Sequence, residues 1–183
     1  MQPPSHQQIV ISGVGGQGVL FVTRLLAEAA IARGLAVLSS ETHGMAQRGG
    51  TVLSHLKLGA FSSPLIRPGH ADLLLALKAE NIAQHAAFLK PDGWIAVNAA
   101  DAAGNSGGRC TRALDADRLA RQIANPRAVN LILLGFALAG SIPLFCGLAD
   151  IQSVLQKRLG ATPTLLQDAL VALAAGATAP AGR

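Results

Sequence analysis

The sequence has 183 residues, 50% hydrophobic and 14% charged, with 15 lysines and arginines against 10 acids for a net charge of +5. Such an apolar share excludes a disordered tail, the length suits one domain, and two cysteines are too few for a disulfide scaffold or a four-thiolate cluster. With no tyrosine, one tryptophan and dispersed basic residues, nucleic-acid binding is a poor fit; the charge suits an acidic partner or a phosphorylated ligand.

The opening residues are polar and carry two prolines, without the apolar core of a signal peptide, so a cytoplasmic location is expected. Residues 1–7 are expected to be a flexible N-terminus, 8–177 one domain, and 178–183 a frayed end. Ile9-Val10-Ile11 is a β-branched run closed by Ser12 and glycines, the pattern of a buried strand. Residues 18–33 carry an apolar stripe at helical spacing, and Gly34 is the natural stop. A second strand is expected at 36–40, then a polar loop over 41–50, and a third strand at 51–58.

Pro64 and Pro68 punctuate a loop over 62–69, before an apolar strand at 72–77 of the kind covered on both faces. Residues 78–89 are expected to be helical, Lys90-Pro91-Asp92-Gly93 a turn, and 94–98 a strand. A small-residue loop at 99–108 leads to a short strand at 110–114. Helices are expected at 115–123, 128–139, 150–159 and 163–175, the last with Thr162 as N-cap and Pro163 in its first turn.

Residues 128–149 contain no charged side chain, which is long enough to suggest a membrane span. Gly135, Gly140, Ser141, Pro143 and Gly147 interrupt the run, so a buried helix followed by an apolar loop is the better account, and no membrane partner is expected. Strands alternating with helices over one domain predict an α/β, three-layer Rossmann-like fold around a mainly parallel sheet.

Gly13-Val14-Gly15-Gly16-Gln17-Gly18 follows the first strand and opens the first helix. It has Gly-x-Gly-x-x-Gly spacing in a strand–turn–helix setting, where free N–H groups face an anion and glycines allow close approach. Dinucleotide binding also requires a carboxylate after the second strand, for which Glu41 is the candidate, set later than usual. A tight turn holding no ligand remains the bland alternative.

The next loop gathers Glu41, His43, Gln47 and Arg48 ahead of Gly49-Gly50. If strands one and two are neighbours, this loop shares a crevice with the glycine turn, and Arg48 is the group that grips a phosphate or carboxylate. His6, His55, His70 and His85 are scattered, with no pair at zinc-ligand spacing, and there is no Gly-x-Ser-x-Gly elbow. No metal site and no catalytic residue is expected on this chain.

Taken in order, several segments resemble the small, gamma-type subunit of 2-oxoacid:ferredoxin oxidoreductases. They are Gly13-Val14-Gly15-Gly16-Gln17-Gly18-Val19, His43-Gly44-Met45-Ala46-Gln47-Arg48-Gly49-Gly50 with Ser54-His55, Ser63-Pro64-Leu65-Ile66, Ala71-Asp72-Leu73-Leu74-Leu75, Lys90-Pro91-Asp92-Gly93, and Pro126-Arg127-Ala128-Val129-Asn130 with Leu133-Leu134-Gly135. The His-Gly-Met-Ala-Gln-Arg-Gly-Gly form is similar to the indolepyruvate branch, whose small chain is the beta subunit.

The resemblance implies conversion of an arylpyruvate, CoA and oxidised ferredoxin to an aryl-acetyl-CoA, CO2 and reduced ferredoxin. It places thiamine diphosphate and iron–sulfur clusters on a large alpha subunit, makes CoA a co-substrate of the complex, and leaves this chain inactive alone. A Cys-x-x-Cys run and a Gly-Asp-Gly thiamine motif are both absent from this sequence, in keeping with that division. Another 2-oxoacid as substrate, a free-standing dinucleotide-binding protein, a purely structural adaptor and a homodimer stay open at this point.

Overall fold

The computed structural model describes residues 4–43, 50–100 and 108–180. The order of elements is β1 (Gln7–Val14), α1 (Val19–Ala32), β2 (Val37–His43), β3 (Thr51–Leu58), β4 (Ala71–Ala76), α2 (Ile82–His85), β5 (Leu89–Asn98), β6 (Cys110–Leu114), α3 (Ala116–Gln122), α4 (Val129–Leu138), α5 (Leu148–Leu159) and α6 (Pro163–Thr178). The six strands form one sheet in the order β2-β3-β1-β4-β5-β6. Pairs β1–β4, β4–β5 and β5–β6 are parallel. β3 runs antiparallel to both neighbours, so it alone opposes the common strand direction.

Side-chain alternation divides the core in two. Ile9, Ile11, Leu56, Leu73, Leu75 and Trp94 face the helices, whereas Val10, Leu74, Ile95 and Val97 face the other side. The helical side is deep. α4 packs against β4 and β5 on one flank and α6 on the other, so every residue from Asn130 to Ala137 is buried. That burial explains the chargeless stretch, and among the described residues no helix is long and apolar enough to cross a membrane.

The layer on the opposite face is thin. Residues 78–89, expected to be one helix, instead form two 3-10 turns, Ala79–Asn81 and Ala86–Phe88, around the four-residue α2. The side chains of Asn81 and His85 turn inward to polar partners on β1 and the glycine turn. Ala71 pairs with Leu89 but Leu73 with Trp94, so the expected turn at Lys90-Pro91-Asp92-Gly93 is absorbed into β5 as a bulge.

Gln7, expected in a flexible terminus, is buried: its amide accepts from Phe145 N–H at 3.0 Å and donates to the Pro143 carbonyl at 3.4 Å. Thr162 does precede α6, but its side chain makes no cap hydrogen bond; Pro163 opens the helix, which runs past the expected end to Thr178. The expected loop at 99–108 lies outside the described residues over 101–107.

Candidate functional site

The glycine turn is built as its spacing predicts. β1 ends at Val14, Gln17 N–H donates to the Val14 carbonyl at 3.1 Å, and Gly18 enters α1 in the left-handed region, with φ 80°. A Cβ on Gly18 would collide with the side-chain amide of Asn130 on α4, so both conformation and close approach require glycine there. Gly13, also in the turn, is buried, and a Cβ there would press on Val19 and Gln17.

Gln17 serves the turn itself. Its Oε1 accepts from Val14 N–H at 2.9 Å, and its Nε2 approaches the Leu77 carbonyl at 3.5 Å, so both ends of the amide engage protein. Beneath the turn lies a buried network that the spacing of these residues along the chain gave no means of finding. Asn81 Nδ2 donates to the Gly13 carbonyl at 3.0 Å and lies 3.1 Å from Ser12 Oγ, which is 2.8 Å from His85 Nδ1.

Burial holds the His85 imidazole below its ordinary range. His55 is lowered too, by burial first, then by His85 and by Lys57. The two histidines, scattered in sequence, both pack on Phe88. Ser54-His55 stood among the segments of the family resemblance, whereas His85 carried no signal of its own.

A cleft of about 330 Å³ opens beside the turn, walled by Val14, Val19, Leu20 and Val52 around the backbone of Gly15, Gly16 and Gly18. A larger concavity, about 830 Å³, lies between α5 and α6, but it is an open groove of glutamines and apolar residues in which Lys157 is the one charged group. The cleft therefore remains the better candidate. α1 has no acidic residue in its first turn and no side-chain cap, which leaves its N–H donors uncommitted.

The second expected loop does reach the same edge. Gly15 N–H donates to the Gly50 carbonyl at 3.1 Å, and Val14 pairs with Thr51. The expectation that strands one and two adjoin is corrected, because β3 is inserted between them. At ordinary strand spacing that sets β2 about 10 Å from β1. Glu41 is an exposed residue within β2, paired with Ser54, and His43 ends that strand rather than lying in a loop. Glu41 is thus not positioned as a ribose-binding carboxylate beside the glycines. Gln47 and Arg48 lie outside the described residues.

Among the described residues no three His, Cys, Asp or Glu side chains gather as metal ligands. Cys110 is exposed at the start of β6, while Cys146 is buried, its thiol pushed up to about 12 chiefly by burial.

A sequence profile for pyruvate ferredoxin/flavodoxin oxidoreductase matches residues 8–179. The chain belongs to that family. Indolepyruvate oxidoreductase subunit IorB of Archaeoglobus fulgidus is 44% identical over 90 residues, 49% of this chain and 45% of that protein, so the match spans about half of each. Pyruvate oxidoreductase subunit PORC of Thermotoga maritima superposes with a TM-score of 0.78 over 95% of this chain and 96% of its own, at 20% identity. The 2-oxoglutarate:ferredoxin oxidoreductase of Magnetococcus marinus, solved with 2-oxoglutarate, coenzyme A and succinyl-CoA bound, gives 0.76 over 94% of this chain and 30% of its own, at 19% identity. At 19–20% identity the last two likenesses are ones of fold.

Proposed function

We propose that this chain is the small, gamma-type subunit of a 2-oxoacid:ferredoxin oxidoreductase whose substrate is indolepyruvate or a related arylpyruvate. The observation that carries the proposal is the 44% identity with the indolepyruvate oxidoreductase subunit of Archaeoglobus fulgidus. Decarboxylation and electron transfer belong to thiamine diphosphate and iron–sulfur clusters on a large alpha subunit, with CoA as co-substrate and ferredoxin as acceptor.

The chain's own contribution is the edge that carries the glycine turn. Gly15, Gly16 and Gly18 let a ligand reach the start of α1, Gly13 and Gln17 hold the turn's shape, and Arg48 is proposed to grip an anionic group from the neighbouring loop. A free-standing dinucleotide-binding protein fits less well, because Glu41 stands across β3 from the turn. A cytoplasmic setting follows from the ferredoxin partner.

The test is reconstitution. Co-expressed with a large subunit bearing thiamine and ferredoxin motifs, the chain is expected to co-purify and to support CoA-dependent reduction of ferredoxin by indolepyruvate. Pyruvate, 2-oxoglutarate and branched 2-oxoacids should be turned over more slowly. Equal turnover by the large subunit alone would refute the subunit proposal, and preference for another 2-oxoacid would reassign the substrate.

A further inference from the structure

We infer that His85 is a positioning residue for the ligand edge, setting the shape of the glycine turn from beneath through Ser12 and Asn81. The inference rests on the reading of that edge as the chain's contribution to CoA use, and it adds a residue that touches no ligand. The peptide joining Gly13 to Val14, where β1 hands over to the turn, is held on both sides. Asn81 Nδ2 donates to the Gly13 carbonyl at 3.0 Å, and Val14 N–H, the other end of that peptide, donates to Gln17 Oε1 at 2.9 Å. A peptide unit moves as one plane, so these two bonds set the direction in which Val14 and Gly15 leave the sheet. Gln17 belongs to the turn itself, whereas Asn81 reaches in from the thin layer on the far face of the sheet.

The bonds run in one direction. A carbonyl only accepts, so the nitrogen of the Asn81 amide has to face Gly13. The same nitrogen lies 3.1 Å from Ser12 Oγ and gives it the second amide hydrogen. Ser12 Oγ therefore accepts on that side, and its own proton points at His85 Nδ1, 2.8 Å away. His85 Nδ1 is then the bare nitrogen, and the ring is neutral with its proton on Nε2, an assignment that follows from the partners. Burial pulls the His85 pKa down and so favours the same neutral form.

Ser12, Asn81 and His85 are only 0%, 7% and 4% exposed, so bulk water does not replace a lost partner. Without the Nδ1 acceptor the Ser12 proton is free to rotate toward Asn81. Two donors would then face each other, and the amide would loosen its hold on Gly13.

The test compares His85→Leu, which removes the acceptor, with His85→Asn, whose Oδ1 takes the place of Nδ1. In the complex reconstituted with the large subunit, His85→Leu is expected to raise the KM for CoA at least tenfold with kcat within about twofold. His85→Asn should stay within about threefold of the unaltered complex in both. Ser12→Ala, a smaller change, should match His85→Leu, and the two together should add nothing further, because both cut one chain of bonds. Unchanged emission from Trp94 would show each fold intact. In the full chain alone, the amide resonances of Val14 and Gly15 should move in His85→Leu and stay in place in His85→Asn, and the His85 ring of the unaltered chain should carry its proton on Nε2. A normal KM in His85→Leu and Ser12→Ala, equal damage from both His85 replacements, additive losses in the double variant, or a proton on Nδ1 would each overturn the inference. If the unaltered complex uses no CoA, the subunit proposal fails, and the Val14 and Gly15 resonances decide the inference by themselves.

Discussion

His85 lies 73 residues along the chain from Ser12, yet the two side chains meet at 2.8 Å under the glycine turn. Its buried imidazole, like that of His55, resists protonation. In the unfolded chain both would titrate near the ordinary value of 6.5. Above that pH both states are neutral and the fold has its full stability; as pH falls through it, only the unfolded chain gains protons, and stability declines. The urea midpoint should therefore drop as pH is lowered from about 7.5 to about 5, and His85→Gln, which keeps a polar partner for Ser12, should flatten that fall. A steeper fall in the variant would contradict this. At this scale the glycine turn was legible because all its parts are consecutive. The network of Ser12, Asn81 and His85 was not, because nothing local marks a pairing made across the sheet.

Two helices end in the same motif with different residues. After α1, Gly34 N–H and Leu35 N–H return to the carbonyls of Ile31 and Ala30; after α3, Ala124 N–H and Asn125 N–H return to those of Arg121 and Ala120. Gly34 adopts the required left-handed backbone freely at φ 76°, but Ala124 holds φ 53° with a Cβ present. Ala124→Gly should relieve that strain and stabilise the protein by about 1 kcal/mol, seen as a higher urea midpoint. The reverse applies where α4 and α6 cross. Cβ atoms on Gly135 and Gly176 would strike the backbone carbonyls of Leu173 and Ile132. Gly176→Ala should thus cost about 1–3 kcal/mol by forcing the helices apart. Trp94, the single tryptophan and fully buried, reports both transitions by its emission.

The strands and long helices were readable because their periodicity reflects burial of a face. Gly34 was read as the stop of its helix and is one; Gly135 was read as an interruption of the chargeless run, and it is a contact between α4 and α6. The direction of β3 was not readable, since a run of alternating residues carries no sign of whether its neighbour is parallel. That one reversal separates β2 from β1 and removes Glu41 from the glycine turn.

Over the whole molecule, the chain has a well-filled core, a cleft at the carboxyl edge of its parallel strands, and, among the described residues, no cluster of metal-ligating side chains. Such an object suits a subunit that shapes another chain's site. It should show no 2-oxoacid turnover alone, and its effect should appear as a change in how the complex uses CoA.

Gly15 is the position that isolates this effect. It lines the cleft, and its backbone is not among the left-handed glycines, so a valine there adds bulk at the cleft without demanding a backbone conformation that favours glycine. The decisive measurement is the KM for CoA of the reconstituted complex carrying Gly15→Val. The account predicts a rise of at least tenfold, with assembly and Trp94 emission unchanged. A KM and kcat equal to those of the unaltered complex would contradict it and reduce the glycine turn to a piece of architecture.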